Sequence, residues 1–136
     1  MKNLKQYYKE LGRLVYAVAA ADGKVQEEER EKLHAFVVKE LATHEKSFDT
    51  SGMNQAFYVD FEFDLSEQHK PEIHEIVLTF NEFVRLNRED TDHDLLQRSL
   101  LLLESVASAY TRQKEKNIIE VVKEQLHPLI LIPNHE

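Results

Sequence analysis

Apolar residues recur at three- and four-residue spacing along most of the chain, a period that predicts amphipathic α-helices. The first series begins at Leu4, ends in an alanine run and predicts a helix over residues 3–21. Gly23 then predicts a turn, because glycine accepts the positive φ at which helices often end. The acids that follow suit the first turn of a second helix over residues 26–46, and residues 47–52 are expected to form a loop.

Three more helices are expected in the second half of the chain. Ser66 is a candidate N-cap for a helix that begins near residue 67 or 70 and ends near residue 87. Thr91 and Asp94 are spaced like a capping box and predict a helix that continues to about residue 110. The last helix is predicted over about 113–126, where Pro128 stops it.

Residues 57–65 depart from the helical period. Phe61, Phe63 and Leu65 alternate with acids, and no second alternating run offers them a pairing strand. The pattern predicts an extended or irregular arm, anchored to the helices by its phenylalanines, with a short helix as the alternative. The acids, which would share one edge of the arm and could pair with basic residues of a partner, are Asp60, Glu62 and Asp64.

These elements predict an all-α fold, a single compact bundle of about five to seven helices, in one domain over residues 1–136. The chain has no cysteine, which excludes thiolate catalysis, cysteine-ligated metals and disulfides. Its N-terminus leads into a helical pattern without the apolar stretch of a signal peptide, and no apolar run is long enough to cross a bilayer. We therefore expect a cytoplasmic protein without membrane insertion.

The net charge of −8 is concentrated in residues 40–94, which hold fourteen acids and four Lys/Arg. Such a field repels phosphate backbones, and the sequence has no basic stripe with interleaved aromatics, so no nucleic-acid partner is expected. Cations or basic protein surfaces fit this charge better. The apolar tail at 129–133 is expected either to dock on the core or to serve as a partner or dimer surface.

An Ala-rich helix, an Ala-Asp-Gly turn and a helix that opens with glutamate follow one another in residues 17–30. Within about 11–41, this arrangement resembles the signature of the TerB-like helical family, named for bacterial tellurite resistance. The resemblance implies an all-α, bacterial, cytoplasmic module that is associated with metals or protein interactions and has no established catalysis. It also implies two related helix-turn-helix units, and a faint echo between about 4–46 and 95–127 fits such a degenerate repeat.

The turn at Asp22 has the spacing of the second half of a calcium-binding loop, which ends here at Glu29. The leading acids of such a loop are missing, because Val18 and Ala20 occupy their positions. A weak divalent-cation site on Asp22 and Glu29, with Glu28 assisting, is one interpretation. The other is that these acids only end one helix and begin the next. No other cofactor is predicted.

Two further polar groups also have competing interpretations. The first lies at a helix start, where consecutive side chains diverge and serve as caps rather than as a hard-metal site. The second shares one face of the third predicted helix and would need ligands from another helix to hold a metal, so a solvated face is favoured. The groups are Asp90, Asp92, His93 and Asp94, and His69, Glu72 and Glu75.

The sequence contains no nucleophile elbow, phosphate loop or zinc-protease motif, so neither catalysis nor a small-molecule substrate is expected. It favours a non-catalytic TerB-like module that acts by interaction with a protein partner or as a homodimer in a bacterial stress response, with a weakly bound divalent cation as an additional feature. The alternative is a metal-free acidic scaffolding or dimerisation domain. A remote alternative is a metal-dependent hydrolase built around His93.

Overall fold

The structure, a computed structural model, describes residues 3–21, 23–109 and 118–124, and within these ranges the chain is all-α with no strand. One π-helical turn, Val37–Leu41, continues the second helix, and 3₁₀ turns at Gln55–Phe57 and Arg88–Asp90 precede the third and fifth. The predicted compact bundle of five to seven helices is confirmed. The described residues form six helices, which are α1 (Leu4–Ala19), α2 (Glu27–Phe36), α3 (Tyr58–His69), α4 (Ile73–Leu86), α5 (His93–Ala109) and α6 (118–124).

Helix α1 is the centre of the core. It packs against α3, α4 and α5, while α2 packs against α5. Burial of such a stripe of apolar side chains is the main force that holds a helical bundle together. The ring of Tyr7 contacts that of Phe80 in α4, with 5.9 Å between centroids. The fully buried apolar side chains of α1 include Tyr7, Leu11, Leu14, Val15 and Val18.

Gly12 marks the closest approach of α1 and α3. A Cβ atom at this position would lie 2.5 Å from the carbonyl oxygen of Val59 and 2.8 Å from the Cβ of Glu62. Only glycine, which lacks a Cβ, allows the two helices to cross at this separation. The crossing also brings Glu62 beside Arg13, whose Nε donates to the glutamate Oε2 at 3.2 Å.

The extended arm predicted over residues 57–65 is wrong, because this segment lies in a 3₁₀ turn and the first two turns of α3. The buried positions of α3 are Val59, Phe63 and Ser66, which have helical spacing. Phe61 and Leu65 lie on the outer side and are exposed, so the alternation was produced by exposed apolar residues. The three acids do not share an edge either, because Glu62 is two residues from both Asp60 and Asp64 and so lies on nearly the opposite side of the helix.

Several predicted helix ends are also wrong. Ser66 does not cap a helix but is buried inside α3, and the N-cap of α4 is Glu72, whose carboxylate accepts from the backbone N–H groups of His74 and Glu75 at 2.9 and 3.0 Å. Asp92 rather than Thr91 caps α5, because the Asp92 Oδ1 accepts from the backbone N–H groups of Asp94 and Leu95 at 3.0 and 3.2 Å. The side chain is close enough to satisfy donors that the helix leaves unpaired.

Other predictions lie outside the described residues. They are Asp22, the turn at 110–111 in the later copy of the suggested repeat, and the apolar tail at 129–133. In the last predicted helix, 118–124 is helical, with Ile119 and Val122 buried and Val121 exposed. Among helices of the described ranges, none combines the length and apolar character needed to cross a membrane.

Candidate binding groove and the predicted cation turn

Glu29 of the predicted cation turn is buried at the start of α2. Its Oε1 accepts from the backbone N–H of Gln26 at 2.8 Å, while the Gln26 side chain accepts from the backbone N–H of Glu29. This reciprocal capping box accounts for the position of one Glu29 oxygen without a metal. Glu28 is exposed in the same first turn, where its charge suits the helix dipole. Asp22 lies outside the described residues, so the paired Asp22–Glu29 site remains a prediction.

Within residues 3–21, 23–109 and 118–124, no group of three or more histidine and acidic side chains is arranged to hold a metal ion. The acids near His93 include the Asp92 cap, which is engaged with the α5 backbone. His69, Glu72 and Glu75 do not share one helix as predicted, because α3 ends at His69 and α4 begins at Ile73. They nevertheless line a common cleft with α1.

A groove between α2 and α3 has a volume of about 640 Å³. Its apolar surface comes from both helices and from the segment before α3. Such a mixture of apolar floor and charged rim is typical of a surface that binds another molecule. The apolar lining consists of Leu33, Ala35, Met53, Phe57, Phe61 and Phe63, and the acids are Glu27, Glu31, Asp60 and Asp64.

Phe61 is the most unusual residue of this groove, because 49% of its surface is exposed. Its ring meets that of Tyr58 edge to face at 6.1 Å, which fixes its position on the outer side of α3. Asp60 and Asp64 flank it on the groove side, since they are four residues apart on the helix. A half-exposed aromatic ring between carboxylates offers both an apolar contact and a negative charge.

An ion pair and a histidine–carboxylate contact tie the helices together across the groove. Arg30 donates from Nε to Glu67 at 3.0 Å, with a second contact through its Nη2, and it also reaches Glu27 at 2.9 Å. The histidine–carboxylate contact joins His34 Nδ1 and Asp60 Oδ2, which lie 3.2 Å apart. Burial raises the pKa of the Asp60 carboxyl, and the hydrogen bond and charge of His34 lower it in part. Among the described residues, the rim of the groove holds four carboxylates against one arginine and one histidine, so it is acidic overall.

The sequence did not predict this groove as a site. Asp60 and Asp64 were expected on one edge of an extended arm with Glu62, but the helix places Glu62 in the separate cleft beside α1. The signal that could have located the groove is Phe61, an aromatic residue at a position that the helical period leaves outside the core.

Comparison of the chain with known protein families, with curated proteins and with solved structures finds no match.

Proposed function

We propose that the chain is a non-catalytic helical interaction module that binds a basic, amphipathic helix of a partner protein in the groove between α2 and α3. The observation that carries this proposal is Phe61, half-exposed on an apolar floor and flanked by Asp60 and Asp64. An amphipathic helix inserts its apolar side chains into such a groove, while lysine or arginine residues beside them face the acidic rim. The net charge of −8 favours the approach of a basic partner.

The groove chemistry favours a helix over a small substrate. Its apolar side chains form the floor, and its charged groups lie along both helices, so a ligand with a continuous apolar stripe and two charged borders is complementary. Arg30 and His34 are paired with Glu67 and Asp60 respectively, which holds the groove in shape before a partner arrives.

The test is fluorescence polarisation with a fluorescein-labelled amphipathic helix of lysine and leucine, compared with a scrambled peptide of the same composition. We expect the amphipathic peptide to bind the wild type more tightly than the scrambled peptide does. Phe61→Ala is expected to lower the affinity for the amphipathic peptide by about tenfold, because a central aromatic anchor is lost. Phe48→Ala is the matched control, because Phe48 is also exposed but does not line the groove.

Equal binding of both peptides, or equal effects of the two phenylalanine substitutions, would overturn the proposal. A second copy of the chain is the competing occupant, as in the dimerisation alternative. Light scattering distinguishes it: a dimer that Phe61→Ala dissociates, together with no peptide binding, favours dimerisation over a basic partner.

Membership of the TerB-like family remains a proposal supported by residues 17–30, and the bacterial, cytoplasmic stress role belongs to that proposal. The proposed cation site depends on Asp22 and is tested separately. The thermal unfolding of the wild type and of Asp22→Asn is compared with and without Ca²⁺, Mg²⁺, Mn²⁺ or Zn²⁺. A weak site predicts a gain of about 1 kcal/mol in the wild type at metal concentrations several times the Kd, and a smaller gain in the variant. If none of these metals raises the unfolding free energy of the wild type, the proposed cation site is wrong.

A further inference from the structure

A second concavity, the Glu10 cleft, lies where α1, α3 and α4 meet, on a different face of α3 from the groove. Its volume is about 420 Å³, which is within the range of small-molecule sites. Of the described residues, four carboxylates, one arginine and His69 line it. The carboxylates belong to Glu10, Glu62, Glu72 and Glu75.

Glu10 is the feature that distinguishes this cleft from an ordinary acidic surface. The residue is 5% exposed, although it carries a carboxylate. Its Oε2 accepts from Gln6 Nε2 at 2.8 Å, but its Oε1 is buried and accepts a hydrogen bond from none of the described residues. A buried carboxylate oxygen without a donor is costly, so a ligand that donates to it gains more than it would at an exposed acid.

Arg13 does not satisfy this carboxylate. Its Nη1 is 3.7 Å from Glu10 Oε2, beyond ordinary hydrogen-bond length, while its Nε donates to Glu62 at 3.2 Å. The guanidinium is therefore directed mainly to Glu62. Glu72 accepts from the backbone of α4, but the N–H groups that it binds carry no formal charge. The carboxylates of the cleft therefore outnumber its arginine, and the cleft is negative.

The walls between these charges are aliphatic. Leu65 of α3 and Ile76 of α4 line the cleft, and so does Pro71 in the segment between the two helices. A metal ion would use none of these contacts, and the carboxylates are not arranged in a metal-binding group. A molecule in which methylene groups separate positive charges matches both the walls and the carboxylates.

We propose that the Glu10 cleft binds a linear alkyl diamine or polyamine, with one ammonium group donating to Glu10 and another lying near Glu72 and Glu75. The hydrogen bond to Glu10 is charge-assisted and forms inside the cleft, where water competes least. The methylene chain covers Leu65 and Ile76. This site is independent of the groove proposed for a protein partner.

Isothermal titration of the purified chain at about 0.15 M salt tests the site, because that ionic strength screens diffuse attraction to an acidic surface. We expect spermidine to bind the wild type and Glu82→Gln alike, and to bind Glu10→Gln at least about tenfold more weakly. Glu82 is the matched control, since it lies exposed on α4 outside the cleft. n-Butylamine, with one charge, is expected to bind more weakly than putrescine, with two.

Circular dichroism checks that each variant is folded. If Glu10→Gln does not fold, Thr79→Leu replaces it, because Thr79 is exposed at the cleft wall and a larger side chain there blocks entry without removing a charge. Spermidine binding unchanged in the variant that folds would overturn the proposal, and so would Mg²⁺ binding that depends on Glu10. A lysine-containing peptide that binds as tightly as putrescine, and loses affinity in Glu10→Gln, would assign the cleft to a protein side chain instead.

Discussion

Two polar clusters lie along α1, and they differ in how completely their buried atoms are hydrogen-bonded. In the first, Tyr7 donates to Ser99 at 2.5 Å, Ser99 donates to the carbonyl of Leu95 at 2.7 Å, and Tyr8 donates to Glu45. In the second, Glu10 keeps a buried oxygen that accepts from none of the described residues. The first cluster joins parts of the chain that are distant in sequence, whereas the second lines an open cleft.

The difference separates polar groups that hold the fold from groups that are available to a ligand. Burial raises the pKa of the Tyr7 hydroxyl, and burial together with the hydrogen bond and charge of Glu45 raises the pKa of Tyr8. Both hydroxyls therefore keep their protons and act as donors in neutral solution. A fully bonded cluster stabilises a unique packing, while an incompletely bonded one is destabilising until something binds.

The largest expected effect comes from Gly12, which lies two residues after Glu10 in α1. Gly12→Ala places a Cβ against the Val59 carbonyl, so α3 must move away from α1. Overpacking of this kind costs about 3 kcal/mol of unfolding free energy, less the gain of about 1 kcal/mol for alanine in a helix. Denaturant unfolding measures the loss, and spermidine titration is expected to weaken in parallel, because Glu62 moves with α3. A variant as stable as the wild type would contradict the close crossing.

Removal of an acceptor from the fully bonded cluster ranks second. Glu45→Ala leaves the buried Tyr8 hydroxyl without its acceptor and also removes the bonds from the N–H and hydroxyl of Ser47. We expect a loss of about 1.5 kcal/mol in unfolding free energy. Glu40→Ala is the control, because Glu40 is exposed in the neighbouring turn. If the two variants lose the same stability, the cluster does not hold the fold.

A third, smaller effect comes from Asp49, a half-buried carboxylate that is also fully hydrogen-bonded. Asp49 accepts from the backbone N–H groups of Ser51 and Met53, from the Ser51 hydroxyl and from Tyr58. The Ser51 hydroxyl bond, the Met53 backbone bond and the Tyr58 bond together hold the pKa of the Asp49 carboxyl well below its usual value of 3.8.

A pKa lowered by folding means that the unfolded chain takes up the proton first as the pH falls. The stability that Asp49 contributes is therefore present above pH 3.8 and is lost below it. We expect Asp49→Asn to be less stable than the wild type at neutral pH, with a difference that shrinks below about pH 4. Urea unfolding at several pH values measures this, and a difference that does not change with pH would contradict it.

The fold could be predicted where burial alone decides the structure. In α1 the apolar positions are also the buried ones, so helical spacing identified the helix to within two residues at each end. In α3 two of the largest apolar residues face outward and Ser66 faces inward. Because apolar character and burial disagree there, the visible period was that of a strand, and the helix was only the alternative interpretation.

The sites were harder to predict because each combines residues from elements far apart in the chain. The Glu10 cleft joins α1 with α3 and α4, more than fifty residues away, and sequence spacing carries no information on that contact. One local signal was present: Glu10 lies three residues after Tyr7 and four before Leu14, which places a carboxylate on the buried stripe of α1. A charge in that position indicates either a buried partner or a ligand.

The smallest expected effect distinguishes the two clusters most directly. Glu10→Gln removes a buried charge that the fold leaves incompletely bonded, so the unfolding free energy is expected to change by less than about 1 kcal/mol, toward greater stability. Glu45→Gln is the matched substitution in the fully bonded cluster, and there loss of the charged acceptor is expected to cost about 1 kcal/mol. Unfolding in urea with and without spermidine measures both. If Glu10 is retained for binding, the two substitutions change the unfolding free energy in opposite directions without the amine. Spermidine then raises the unfolding free energy of Glu45→Gln but not that of Glu10→Gln. A loss in Glu10→Gln as large as that in Glu45→Gln would instead place Glu10 among the groups that hold the fold.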